Sequence, residues 1–142
     1  MDKTALAILA GLLLGLCTFP AHSHDQRRPD LDAWYGKLTR PGLASCCSKN
    51  DCHATDAELR SDGHWWARLG MPVRSSSGRL DWVLIDWVRI DEHLIVRGPD
   101  GKPIPNEVGE PVICHNVIWK LGGAEIDTEQ TSIFCFIVGN LS

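Results

Sequence analysis

Six cysteines, at positions 17, 46, 47, 52, 114 and 135 of this 142-residue chain, constrain the fold more than any other feature. How many of them can pair depends on the N-terminus. Lys3 supplies a short positive segment, Ala5 to Leu16 is an unbroken small and apolar run, and Ala21-His22-Ser23 places small residues at −3 and −1 of a cleavage point. This is the pattern of a secretory signal peptide over residues 1–23. The apolar run falls short of the roughly 20 residues a spanning helix needs and stops at Pro20. The reading therefore predicts no stable membrane span after cleavage. Cys17 invites a lipoprotein reading, but Leu16 stands where a lipobox wants a small residue. Cleavage discards Cys17 and leaves Cys46, Cys47, Cys52, Cys114 and Cys135 in one domain over residues 24–142.

An exported chain enters an oxidising compartment, periplasmic or extracellular, where thiols pair. Three of the five cysteines crowd into Ser45-Cys-Cys-Ser-Lys-Asn-Asp-Cys-His53, and two lie far downstream. The economical arrangement pins this loop to the Cys114/Cys135 pair with two bonds. Closing loops of that length stabilises by about 4 kcal/mol each in the chain-entropy description. Spacing does not fix the connectivity. One thiol is left over, to be buried, to pair with another chain, or to ligate a metal.

Between the cysteines the pattern reads as short strands. Leu31, Trp34, Tyr35 and Leu38 fall on one face of a helix over 30–38, with Asp30 as its cap. Residues 54–59 are ambiguous. His64 to Leu69, Leu80 to Ile85, Leu94 to Arg97, Val112 to Trp119 and Ser132 to Val138 read as strands, the last rich in β-branched and aromatic residues. Asp86 to Asp91 either extends the second of these or forms a 3₁₀ turn. Ser75–Gly78 and Gly98–Gly101 are turns. In the Val112–Trp119 strand, Val112, Cys114, Asn116 and Ile118 share a face. The expectation is a small β-rich single domain (all-β or α+β), with a short N-terminal helix, stapled by disulfides.

Fourteen basic against 18 acidic residues give a net charge of −4, which argues against nucleic acid as a partner. The chain has no Gly-x-Ser-x-Gly elbow, phosphate loop or His-Glu-x-x-His motif. Asp86, Asp91, Glu92 and His93 read as a solvated edge. Metal ligation has a firmer basis. His53 and His115 each follow a cysteine, and cleavage after Ser23 makes His24 a terminal amine–imidazole chelate. These groups suit copper or zinc. In a strand, however, a Cys-His doublet points its two side chains to opposite faces, so one metal does not take both. Trp65 and Trp66 are adjacent and face opposite ways. With Trp87 they form the candidate binding surface, because tryptophan is favoured at interface hot spots.

The leader, the His24-Asp25 start, Trp34-Tyr35, the Ser45-Cys-Cys-x₄-Cys52 loop and Phe134-Cys-Phe136 together resemble a group of uncharacterised small exported proteins of rhizobia and related alphaproteobacteria. That resemblance implies a Gram-negative, periplasmic setting and carries no activity with it. The leading expectation is a non-enzymatic periplasmic or secreted module that binds another envelope protein. The alternatives are a periplasmic copper- or zinc-binding protein and a thiol-redox protein using the leftover cysteine.

Overall fold

The computed structural model describes residues 28–40, 45–46, 52–123 and 125–140. The leader, His24 and Cys47 lie outside them. Pro29 opens a 3₁₀ turn, Pro29–Leu31, its fixed φ suiting the first helical position, and helix α1 (Asp32–Tyr35) follows directly. The expected helix over 30–38 is thus only one α turn long. Gly36 caps it, and Lys37 and Leu38 continue as turns on Trp34 and Tyr35. Asp30 makes no cap. It lies inside the 3₁₀ turn and its carboxylate receives the Arg28 guanidinium. The apolar spacing nevertheless works as expected, for Leu31, Trp34, Tyr35 and Leu38 are all buried in one cluster.

Among the described residues, six strands form two antiparallel sheets. The first has the order β1 (Cys52–Ala54), β5 (Val112–His115), β6 (Ile133–Ile137). The second has the order β2 (Ala57–Leu59), β3 (Trp65–Arg74), β4 (Leu80–Arg89). The ambiguous 54–59 segment resolves into β1 and β2. Thr55 joins the sheets between them, its N–H donating to Pro111 O at 2.8 Å and its hydroxyl to Arg68 O at 2.7 Å. Strand β3 runs beyond the expected Leu69 and through Pro72. That is tolerated because β2 pairs only with residues 65–67, so Pro72 lies on an edge with no ladder bond to lose on that side. Strand β4 likewise continues through Trp87 to Arg89. Ser75–Gly78 forms the turn between them, with Gly78 at φ +80°.

The first sheet is the middle layer. One of its faces carries Val112, Cys114, Cys135 and Ile137 into the cluster with Tyr35, Trp34 and Leu38. The other carries Ile113 and Phe136 against Ala67, Leu69 and Ile90. All four residues of β5 are buried. This explains its near-continuous apolar sequence, since a strand covered on both faces does not alternate. The ladder shifts register between Cys114 and His115, and β5 ends there. The expected strand through Trp119, with Asn116 and Ile118 sharing the Cys114 face, is therefore cut short. Trp119 instead bridges Ile126 across the Gly122-Gly123 turn. Asn106 is buried and ties its loop to the end of β6, donating to Glu110 O and Val138 O and accepting from Val108 and Gly109 N–H.

Two disulfides staple these layers among the described residues. Cys46 bonds Cys135 across 89 residues, and Cys52 bonds Cys114 across 62. Both join the cysteine-rich loop region to the downstream strands. Replacing Cys52 and Cys114 together by alanine is expected to lower stability by about 3 kcal/mol, read as a drop in the urea midpoint with Cys46–Cys135 left intact. An unchanged midpoint would show that this bond holds nothing the strands do not already hold.

Candidate functional site

Cys52 and Cys114 stand directly opposite each other on β1 and β5, their Cα atoms 4.0 Å apart. Strand alternation then sends the next residue of each strand to the other face. His53 and His115 consequently share the face turned away from the disulfide, where both are fully buried. Sequence alternation alone separates each histidine from its own cysteine. Only the pairing of the two strands brings the histidines to one another.

The hydrogen bonds define what these rings carry. His53 Nδ1 lies 2.8 Å from Ala54 O, and His115 Nδ1 lies 2.6 Å from Asn116 O. A carbonyl oxygen only accepts, so each Nδ1 bears a hydrogen. The two Nε2 atoms face each other at 3.0 Å, with the rings at 89°. The Gly70 N–H donates to His115 Nε2 at 3.2 Å. Two neutral rings would oppose lone pair to lone pair at Nε2. A hydrogen shared between the two Nε2 atoms relieves that contact. Burial holds the His115 pKa below the usual histidine value, its hydrogen bond to Asn116 O opposing that shift.

Gly70 and Trp82 close the pocket. The Trp82 indole stacks on His53, with centroids 4.3 Å apart and planes at 24°, and meets His115 edge-on at 5.8 Å. A Cβ on Gly70 would sit 2.5 Å from His53 Nε2 and 2.7 Å from the Trp82 ring. Only glycine permits this approach of β3 to the first sheet. Among the described residues no group of three His, Cys, Asp or Glu side chains is placed to hold a metal, so any ion here would rest on the two imidazoles.

A second feature lies near the start of β3. The Arg60 guanidinium sits 4.2 Å from the Trp66 ring centroid and 5.3 Å from that of Trp87. Asp62 accepts from Trp66 Nε1 at 3.1 Å. Trp87 is 38% exposed. Trp65 points the other way, 5.8 Å from Phe136 and packed on the second core cluster. The three candidate tryptophans therefore divide, with Trp66 and Trp87 together and Trp65 on the core. The exposed side chains of Asp91 and Glu92 pair with Arg89 and Arg97. Two open clefts, of about 340 and 360 Å³, are lined by Thr55, Asp56, Leu84 and Glu110 and by Met71, Asp86, Lys120 and Glu125 respectively.

No family model, curated protein or solved structure matches the chain. The case for a site rests on these side chains. Gly70, Trp82 and Arg60 carry no sequence signal as site residues. Each acquires its place from the strand register.

Gly70→Ala tests the pocket directly. The added methyl has no room against His53 and Trp82, and overpacking of this kind costs about 1–3 kcal/mol. A fall in the denaturant midpoint of that size is expected, together with a change in Trp fluorescence. A silent substitution would mean that β3 does not approach the histidines this closely.

Proposed function

We propose that the chain is an exported, non-enzymatic interaction module that presents the Arg60–Trp66–Trp87 cluster to another protein of the cell envelope. The observation that carries this reading is the stack of Arg60 on Trp66 and towards Trp87. Cation–π contact, with Asp62 on the indole N–H, holds large side chains in one geometry while leaving part of them in water. Preorganised Trp and Arg lose little side-chain freedom on docking. These residue types dominate interface hot spots.

Export draws support from two directions. Disulfides persist in oxidising compartments, and the leader has the composition of a signal peptide. The resemblance to small alphaproteobacterial exported proteins points to the periplasm. Among the described residues no helix is long and apolar enough to cross a membrane. A net charge of −4 directs the search toward proteins rather than nucleic acids.

Photo-crosslinking in the producing cell tests the reading. A benzoylphenylalanine at position 87 is expected to give a discrete protein adduct, one that Trp66→Ala reduces at least tenfold while shifting the urea midpoint by less than about 1 kcal/mol. A comparison probe at Asp100, on a remote turn, should give none. The same adducts from both positions, or none at 87, would contradict the reading. So would acrylamide quenching that shows every tryptophan shielded.

A further inference from the structure

Trp87 of the docking cluster belongs to β4, and β4 is an outer edge of its sheet. We propose that the partner docks by laying an extended, basic segment along this edge as a further strand. This deepens the reading of the Arg60–Trp66–Trp87 cluster and rests on it.

Main-chain hydrogen bonds show which groups of β4 face outward. In an antiparallel pair, bonded and non-bonded residue pairs alternate, and residues at non-bonded pairs turn their N–H and C=O away from the neighbouring strand. Ile90 N–H donates to Trp65 O, so these two form a bonded pair. Val88 opposite Ala67 is then bonded, while Arg89 opposite Trp66 and Trp87 opposite Arg68 are not. Arg68 N–H accordingly donates to Asp56 O, on the β2 side. At the hairpin end Ser75 N–H donates to Arg79 O. The same alternation makes Asp81 and Val83 bonded and leaves Trp82, opposite Pro72, non-bonded. Trp82, Trp87 and Arg89 thus present main-chain groups outward. Among the described residues none of these groups has a partner.

Open edges are ordinarily kept short, blocked by proline or lysine, or covered. The other edges here follow that rule. β1 and β2 have three residues each. β6 is covered by the Ile95–Phe136 bridge and by Val96 N–H on Phe136 O. Pro72 interrupts the free side of β3. β4 runs for ten residues without proline or lysine, with Val83 46% and Trp87 38% exposed. Its irregularity is the register shift between Leu84 and Trp87, where Arg68 takes the Leu84 and Ile85 carbonyls.

Charge selects the occupant. Asp81 pairs with Arg79, Arg89 with Asp91, and the nearby Lys120 with Glu125. Asp86, exposed at the register shift, has no ion pair or hydrogen bond among the described residues. A strand laid along β4 passes Asp86, and a Lys or Arg there supplies the opposite charge. Cross-strand pairs of opposite sign stabilise, and like charges oppose pairing. A second copy, with its net charge of −4, brings the same surplus of acid. In strand addition, main-chain bonds give affinity and alternate side chains give specificity. Trp87 and Val83 are the apolar contacts that β4 offers for that purpose.

The test uses the full chain in the producing cell, with benzoylphenylalanine at Val83, on β4 but outside the cluster. The adduct expected there has the same partner mass as the adduct at position 87. Arg89→Pro removes the outward N–H as well as the side chain, whereas Arg89→Ala removes the side chain alone. Arg89→Pro should lower the position-83 adduct about tenfold, the cost of one unmade main-chain bond, and Arg89→Ala should not. Asp86→Lys should lower it by about the same factor. In the purified position-87 adduct, the Trp82 and Arg89 amides should exchange with solvent about tenfold more slowly than in the free chain. That measurement stands whether or not Arg89→Pro folds. An adduct at 87 with none at 83 overturns strand addition and leaves the cluster reading in place; none at either position overturns both. Unprotected Trp82 and Arg89 amides, equal losses in a folded Arg89→Pro and in Arg89→Ala, or an adduct indifferent to Asp86→Lys also overturn the proposal. So does an adduct of twice the chain's mass, which identifies a second copy as the occupant.

Discussion

The covalent link between Cys52 and Cys114 fixes more of this structure than its own stability. It joins directly opposed positions on β1 and β5, so the register of those strands cannot slip by one residue. A one-residue slip would invert every side chain of β1 relative to the sheet. It would place His53 among Leu31, Trp34 and Tyr35, where no main-chain carbonyl is shown to receive it. The bond therefore decides which face is the cysteine face and which is the histidine face. The Cys46–Cys135 bond acts on the same cluster from the far edge, at β6. Together they turn a short central sheet into a rigid partition between two small cores.

Such a partition matters in a domain this small. Sheet faces stabilise by burying apolar area, and the middle layer here does so on both sides. Neither core is large. The helical turn contributes four large side chains to one, while the β3–β4 hairpin leans Leu69 and Ala67 onto the other. Burying two histidines within the second layer works against stability unless their polar atoms are met. The main-chain carbonyls of Ala54 and Asn116 and the N–H of Gly70 meet three of the four ring nitrogens' needs. The fourth, His53 Nε2, meets His115 Nε2 at 3.0 Å. The imidazole pair stands beside Trp82, away from the half-buried Trp66 and the exposed Trp87.

Much of this organisation was legible in the sequence, and the exceptions have physical causes. The apolar spacing of Leu31, Trp34, Tyr35 and Leu38 identified a buried face correctly, but Gly36 ended the helix after one turn. Strand β6 announced itself through Ile133 to Ile137. The strand expected to reach Trp119 failed because the ladder shifts after Cys114, and no residue type marks that shift. Strand β3 runs past the expected Leu69 through Pro72, which falls where β3 has lost its second neighbour. The repeated Cys-His doublet held the histidine pair in latent form. Alternation separated each histidine from its own cysteine, and only knowledge that Cys52 bonds Cys114 brings the two histidines together. Gly70 and Trp82 could not be found this way, since a close approach between sheets leaves no local pattern.

The molecule is a stapled scaffold with an aromatic–arginine cluster outside and an imidazole pair within. The disulfide register presents both Nε2 atoms to each other with both Nδ1 atoms protonated. Long-range ¹H–¹⁵N correlation spectra of the oxidised, metal-free protein at neutral pH read this directly. Two histidines with slowly exchanging Nδ1–H signals and a hydrogen shared between their Nε2 atoms are expected. Spectra in which either buried ring is the Nε2–H tautomer with a bare Nδ1 would contradict it.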